Sequence, residues 1–582
     1  MVDVITCEVI RDFMETVAAE IMKTLVRSAV SVMFNEAHDC SAGVFYYDGR
    51  TVSLISRADA MPVHIYACLS SVQECMDYFK GDLNDGDVIL ISDPYHGGTH
   101  ICDYTMMKPV FYEGKPIFFP SVRGHFLDVG APYPGSANAA AVEVHQEGFR
   151  FPPLKLYDKG EFRRDVWRML IANTRLPHIY EGDLNAMIGS CRVGESRLKQ
   201  VVKKYGFATV LEAVAHIFDR SERRFRDEIR SWPDGTYTGR SVLDSDFRNK
   251  KDINVNVAVT VKGDEIEVDF SGSHPQTEGL INSVPGNTLS YVYMAFTALC
   301  PDIPVNSGFF RPIKTKLPRG SVVDPNPPAP AGLATICIGA DIGEAMIQAL
   351  SKFAPEKAGT ISLDLCIFGA WGVDPRYQNF FVTYDYNGSP VSSGAACGTD
   401  GWGGWASTVS AVQMESMEQM ETKYPLIYLQ GEYSMDTAAP GRWRGTPAFH
   451  MQRSPYGAAG PVMHDVWIQK GKGHPLQGFA GGDSGTGNYA VVYHGTPQAR
   501  TVEGHFLGPL KEGDIIFMQS GGGGGWGSPW ERDPELVLAD VQNGIVSVNA
   551  AQNDYGVVID GTVPRVDRGR TEEIRKKHGT SP

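Results

Sequence analysis

Residues 87–130 read DVILISDPYHGGTHICDYTMMKPVFYEGKPIFFPSVRGHFLDVG, and the reading of the N-terminal fold turns on them. Val88–Ser92 is a short unbroken apolar run bounded by polar residues, the pattern of a buried strand. After the polar loop DPYHGGTH, Ile101 to Val110 and Pro116 to Val122 predict the two arms of a β-hairpin turning at Tyr112-Glu113-Gly114-Lys115. A turn between Glu113 and Gly114 sets His125 opposite residue 102, to within a residue or two, and so beside His100 and Asp103. Two imidazoles and a carboxylate at one end of a hairpin supply three metal ligands at about 2.0 to 2.2 Å and leave positions open, as a catalytic ion requires. This donor set suits zinc, manganese or iron. The same three residues would also serve as ordinary polar groups bonded to backbone and water, and spacing alone does not choose between the two readings.

Working outward, Val9, Ile10, Phe13, Val17, Ile21, Leu25 and Val32 recur at three- and four-residue spacing and predict a long amphipathic helix over 9–34, ending near Asn35. The segment SAGVFYYDGRTVSLIS predicts a hairpin with a two-residue turn at Asp48-Gly49, and Ile65 to Phe79 a second helix. Asp39, in NEAHDCSAG, lies between the first helix and the first hairpin, where its side chain can reach a cleft. It is a candidate fourth ligand or general base, against the plainer role of a local turn hydrogen bond. His64, in MPVHIY, either faces substrate or is a core histidine. Further helices are expected over about 180–204 and 209–231. Beyond Pro233-Asp234-Gly235 the pattern changes: INVNVAVTVKGDEIEVDF alternates as a hairpin does, and PRGSVVDPNPPAPAGLA reads as a proline-rich crossing. From about Tyr424 the chain is rich in glycine and short strands, ending in a polar, charged tail. These observations predict an α+β, multidomain protein with a helix-rich N-terminal half carrying β-hairpins and a β-rich, Gly-rich C-terminal half. The expected domains are 1–232, carrying the metal site, 233–430, an α/β middle domain, and 431–582, β-rich with a polar tail.

Composition excludes several function classes. With 53 Lys+Arg against 68 Asp+Glu the formal charge is -15, and no basic stripe offers itself to a phosphate backbone, so nucleic acid is a poor partner. The N-terminus lacks a basic region followed by an apolar one, and the least polar long stretch, 281–301, carries Asn282, Pro285, Gly286 and Asn287, so neither a secretory leader nor a membrane span is expected. Ten cysteines with no C-x-x-C pair read as reduced thiols of a cytoplasmic protein. Neither EGKP nor KGKGHP fits a phosphate loop, and the glycines 521–525 lack a flanking strand and helix, so ATP handling by this chain alone is not expected. No G-x-S-x-G elbow is present.

The segments NEAHDCSAGVF, RADAMPVHI, DVILISDPYHGGTHICDY, RGHFLDVG, VEVHQEGFRFPPLKL, GDLNAMIGSCRVGESRL, VDFSGSHPQTEGLIN and GGGGGWGSPWERDPELVLADVQNGIVSVNAAQNDYGVV, in this order, resemble the hydantoinase B/oxoprolinase family from residue 1 to about 560. The resemblance implies a β-type subunit working with a hydantoinase A-type ATP-using partner, with ATP and Mg handled there, and an obligate heteromer such as a dimer of heterodimers. Relatives include ATP-dependent N-methylhydantoinases, caprolactam-type lactamases, 5-oxoprolinases and the acetone and acetophenone carboxylases. In the ketone carboxylases the corresponding subunit carries a metal on a His-x-x-Asp pair and a later His, which His100, Asp103 and His125 reproduce. Asp39 matches the family's acidic position, although Ala37-His38 and Cys40 replace its usual neighbours. Phe126 stands where relatives often carry a second His, which argues for a single ion. The activity implied by the resemblance is that of an ATP-dependent hydrolase of cyclic amides, lactam or hydantoin. The partner would phosphorylate the amide oxygen, metal-activated water would open the ring, and Asp39 would take the proton, with His64 beside it. The alternative is a ketone carboxylase subunit acting on an enol phosphate and bicarbonate. A third possibility is a non-catalytic scaffold for the ATPase subunit.

Overall fold

A computed structural model describes residues 2–135, 137–360, 366–385, 393–401 and 412–578. Its contacts separate two compact units: Met1–Arg240, Asp246–Lys250 and Asn254–Ile342 form the first, and Ser241–Ser245, Lys251–Ile253 and Gly343–Pro582 the second. The architecture is α+β with several antiparallel sheets, as the patterning predicts.

In the first unit α1 (Val4–Ser28) starts at Asp3, whose carboxylate caps the Thr6 amide. The expected single helix to Asn35 is interrupted. Asp183 accepts the backbone amides of Val30 and Ser31 at 2.8 and 3.0 Å, drawing them out of the helical ladder, and α2 (Val32–Asn35) restarts with Ser31 as its cap. Next come β1 (Cys40–Tyr47) and β2 (Val52–Arg57). Tyr47 pairs with Val52, so the loop holds four residues rather than the expected two, and Asp48 stabilises it by accepting the amides of Arg50 and Thr51. α3 (Pro62–Phe79), β3 (Val88–Ser92), β4 (Asp103–Met107), β5 (Val110–Tyr112) and β6 (Lys115–His125) follow, then β7 (Phe151–Asp158), β8 (Glu161–Phe162), α4 (Arg164–Ile171), α5 (Pro177–Tyr205) and α6 (Phe207–Ser231).

The sheet order is β2-β1-β6-β4-β3-β7-β8, with β5 also on β6 and every pair antiparallel. Alternation of the pleat sorts its side chains. Cys40 meets Met22 of α1, Gly124 lies under Phe34 of α2, and Pro120 sits against Gly194 of α5, so these helices cover one face. Gly43 packs on Ile65, and Arg123 bonds Ser71, both of α3, which covers the other. His125 and its partner Asp103 share the α3 face with Arg123. A smaller sheet of order β12-β11-β10-β9 follows, from β9 (Gly235–Ser245), β10 (Lys251–Lys262), β11 (Glu265–Asp269) and β12 (Ile313–Lys316). α7 (Pro285–Leu299) packs on α3, and α8 (Ser307–Phe310) and α9 (Ile338–Leu350) complete the helices up to the unit boundary.

Among the described residues the second unit holds two larger sheets, one ordering 379–385, 366–374, 462–468 and 505–510, the other 426–433, 449–455, 516–519, 489–492 and 500–502, besides a two-stranded pair of 559–560 with 565–566. Phe368 and Val466 of the first and Met451 and Met518 of the second share one core, which is sandwich packing. The glycine run 521–525 is a site of close backbone packing. A Cβ on Gly445 would land on the Gly523 carbonyl, and one on Gly485 on the Gly522 carbonyl. The amides of Gly521, Gly522, Gly523 and Gly525 bond Asn488, Thr486, Thr446 and Asp483, so they are not presented to an anion. Helices Pro534–Gln542 and Val548–Tyr555, capped by Asp533 and Ser547, gather on a small core that includes Val537, Val546, Tyr555 and Val557, and the charged helix Arg568–Lys577, capped by Asp567, follows. Among the described residues no disulfide forms; nine cysteines are buried and Cys397 is exposed. Among the described residues no helix is long and apolar enough to cross a membrane.

Candidate metal centre

The β4–β6 ribbon carries the site. Tyr112 pairs with Lys115 and Phe111 with Pro116, but an irregularity at Val110/Phe111 shifts the register, so that Val110 pairs with Phe118 and Asp103 with His125. The bulge therefore moves His125 one residue, from opposite 102 to opposite 103, and pleat parity sends both side chains beneath α3. His100 comes from the turn entering β4, His64 from the first turns of α3, and Asp39 from the residue before β1, where its carbonyl accepts the His125 amide at 3.1 Å.

All five residues expected from sequence meet at one place. His100 Nε2 lies 3.0 Å from Asp103 Oδ1 and 3.2 Å from His125 Nδ1, and His125 Nδ1 lies 3.4 Å from Asp103 Oδ1. His64 Nε2 sits 3.3 Å from Asp103 Oδ2 and 3.5 Å from Asp39 Oδ1. The carboxylate of Asp103 is fully buried whereas His125 is 14% exposed, which puts the approach from solvent on the His125 side.

Two observations bear on whether these residues fit an ion. Asp103 Oδ1 and His64 Nδ1 are buried without a hydrogen bond, so proximity here has not become mutual satisfaction. Ligand atoms at 2.0–2.2 Å from one tetrahedral ion stand about 3.3–3.6 Å apart, and closer still around an octahedral one, which matches the separations here. Asp103 Oδ2 also accepts a short hydrogen bond from Thr99. Burial disfavours charge on both central groups, but the imidazoles of His100 and His64 hold the Asp103 carboxyl well below its ordinary range, and Asp103 in turn drives His100 well above its own. The two form a buried ion pair, and a cation entering between them would displace its proton.

Sequence reasoning missed Cys102, whose thiol forms a compact donor group with His100 and His125. Nothing in the sequence separates it from nine other cysteines. Asp103 Oδ1 lies 3.0 Å from His100 Nε2 and 3.4 Å from His125 Nδ1. His96, the other imidazole of the loop, turns away to Glu74 at 2.7 Å. Phe126 joins an aromatic cluster with Phe34, Tyr104 and Tyr180 on the α1–α5 face, the face opposite His125.

The profile of the hydantoinase B/oxoprolinase family matches residues 3–529. The chain is 32% identical to caprolactamase subunit beta of Pseudomonas jessenii over 595 residues, covering 99% of this chain and 100% of that protein. The crystal structure of ATP-dependent caprolactamase from the same organism superimposes with a TM-score of 0.92 at 31% identity, covering 99% and 100%. A nucleotide-free structure of acetone carboxylase shares the fold, with a TM-score of 0.89 at 19% identity over 99% of this chain and 84% of that one.

Proposed function

Because the chain belongs to the hydantoinase B/oxoprolinase family, we propose that it is the β-type subunit of an ATP-dependent hydrolase that opens cyclic amides, lactam or hydantoin, alongside a hydantoinase A-type ATP-using partner. The partner phosphorylates the amide oxygen, which makes an unreactive carbonyl carbon electrophilic and creates a leaving group. This subunit completes ring opening. His100, Asp103 and His125 would hold a divalent ion, zinc, manganese or iron, whose Lewis acidity would make water nucleophilic near neutral pH. Asp39 takes the proton of the attacking water, and His64, its Nε2 within 3.5 Å of both Asp39 and Asp103, bridges the two carboxylates. The partly exposed edge of His125 faces the substrate. The functional assembly is a heteromer, a dimer of heterodimers.

The observation that carries this reading is the convergence of His100, His125 and the unbonded Asp103 oxygen within 3.4 Å of one another. Similarity to a caprolactamase subunit along its whole length favours ring hydrolysis over carboxylation. The test is reconstitution with the A-type partner, ATP, a panel of lactams and hydantoins, and labelled bicarbonate. Ring-opened amino acid without label is the expected product. Label fixed into a ketone-derived acid would replace hydrolysis by carboxylation, and a purified chain with no tightly bound divalent ion would leave a scaffold.

A further inference from the structure

The proline-rich crossing has no part in the chemistry above, yet it reaches the centre. Gly332 presents its carbonyl to His100 Nδ1 at 2.9 Å. A carbonyl only accepts, so Nδ1 carries the proton and Nε2 is the atom left to face Asp103 and His125. The crossing is fixed on several sides: Tyr95 donates to the Ala329 carbonyl, Asn282 to that of Pro330, and Asn287 to that of Ala334. Its core is held by Glu147, a fully buried carboxylate that accepts the amides of Ala331 at 3.0 Å and Gly332 at 2.6 Å. Glu147 also explains the glycine, since a Cβ at position 332 would stand 2.9 Å from its Oε1. Burying a carboxylate to hold two loop amides is costly, and desolvation pushes this one up to about 8 despite both bonds. Chain connectivity alone needs no buried carboxyl here.

We propose that Glu147 is a positioning residue: by clamping Ala331 and Gly332 it aims the Gly332 carbonyl at His100 and fixes the tautomer in which Nε2 points at the shared centre. The inference rests on the metal reading of His100, Asp103 and His125. Partners that hold a ligating histidine through its second nitrogen change metal affinity by about 10–100-fold when removed. Glu147→Gln keeps one acceptor oxygen for two amides, and Glu147→Ala keeps none.

The test uses the full-length chain, stripped of metal and titrated with cobalt(II) alone, read by its visible absorption, with circular dichroism to follow the fold. Wild type is expected to bind near one equivalent. Glu147→Gln should bind about 10-fold and Glu147→Ala up to about 100-fold more weakly, with altered cobalt spectra. Wild type that takes up no cobalt overturns the metal reading, and the inference with it. Wild type that binds while both variants match it in affinity and spectrum overturns the positioning role alone. Should both variants misfold, nitrogen-15 histidine labelling of zinc-loaded wild type decides, with the His100 signal assigned by its loss in His100→Ala. A proton on Nδ1 supports the proposal, and a proton on Nε2 ends it.

Discussion

Each unit buries charge, and the two do so differently. In the second unit the Lys470 ammonium spends all three donors, on Glu344 at 2.8 Å, Ser241 at 3.0 Å and the Val242 carbonyl at 3.1 Å, and Ser241 in turn donates to Glu344. In the first unit His64, His100, Asp103 and His125 crowd together at similar distances, but Asp103 Oδ1 and His64 Nδ1 are left without hydrogen bonds. The buried histidines diverge as well. Burial and the nearby positive charge of Arg453 push His464 down to about 3, whereas Asp103 drives His100 up against its own burial. Burial of charge therefore does not mark a site. Convergence of metal-ligand atoms on an oxygen left without a hydrogen bond does.

Four measurements test that contrast. The largest effect is expected from His125→Ala, which should remove the bound ion and lower turnover of the reconstituted complex by more than about 100-fold, with the melting temperature nearly unchanged. Metal analysis and a steady-state assay check it, and retained turnover would take His125 out of the site. Lys470→Met should do the reverse, costing about 3–5 kcal/mol in a urea titration by stranding the Glu344 carboxylate, while metal content per folded chain stays constant. Adding Glu344→Leu should restore most of that loss. Third, His464 has a folded pKa of about 3 against an ordinary 6.5, so the native state binds fewer protons than the unfolded one between those values. Stability should accordingly fall as pH drops from 6.5 towards 3, by about 2 kcal/mol at pH 5 from this residue, and His464→Asn should flatten the urea midpoint against pH. The smallest effect belongs to Gly189→Ala in α5, where a Cβ meets nothing within 4 Å. It should raise stability by about 0.5–1 kcal/mol and leave metal binding untouched, separating the fold of the first unit from its chemistry.

Regular elements were legible because their periods are local. The α3 helix, β3 and the β10–β11 hairpin follow from three- to four-residue or alternating spacing, and the hairpin brought His125 to His100 and Asp103 to within one position. The missing position came from the bulge at Val110/Phe111, for which neither residue carries a signal. The break after α1 was hidden because Asp183, which causes it, lies 153 residues downstream of Val30. Beyond the glycine run apolar residues are sparse, yet two capped helices and the segments beside them collect them into one core. Glu147 stayed invisible for the same reason as Asp183: it acts on an amide 185 residues away.

The bulge has an evolutionary consequence. The interval from His100 to His125 behaves as a ruler folded in two, and what it must conserve is parity rather than sequence. A lineage that gains or loses a single residue in one arm would swing its histidine through the sheet to the Phe126 side, whereas matched changes in both arms, or longer turns beyond Tyr112 and Lys115, would leave the chemistry where it is. Homologues should thus vary freely at the tip of this ribbon and, between the tip and Asp103, change length only in step with the opposite arm.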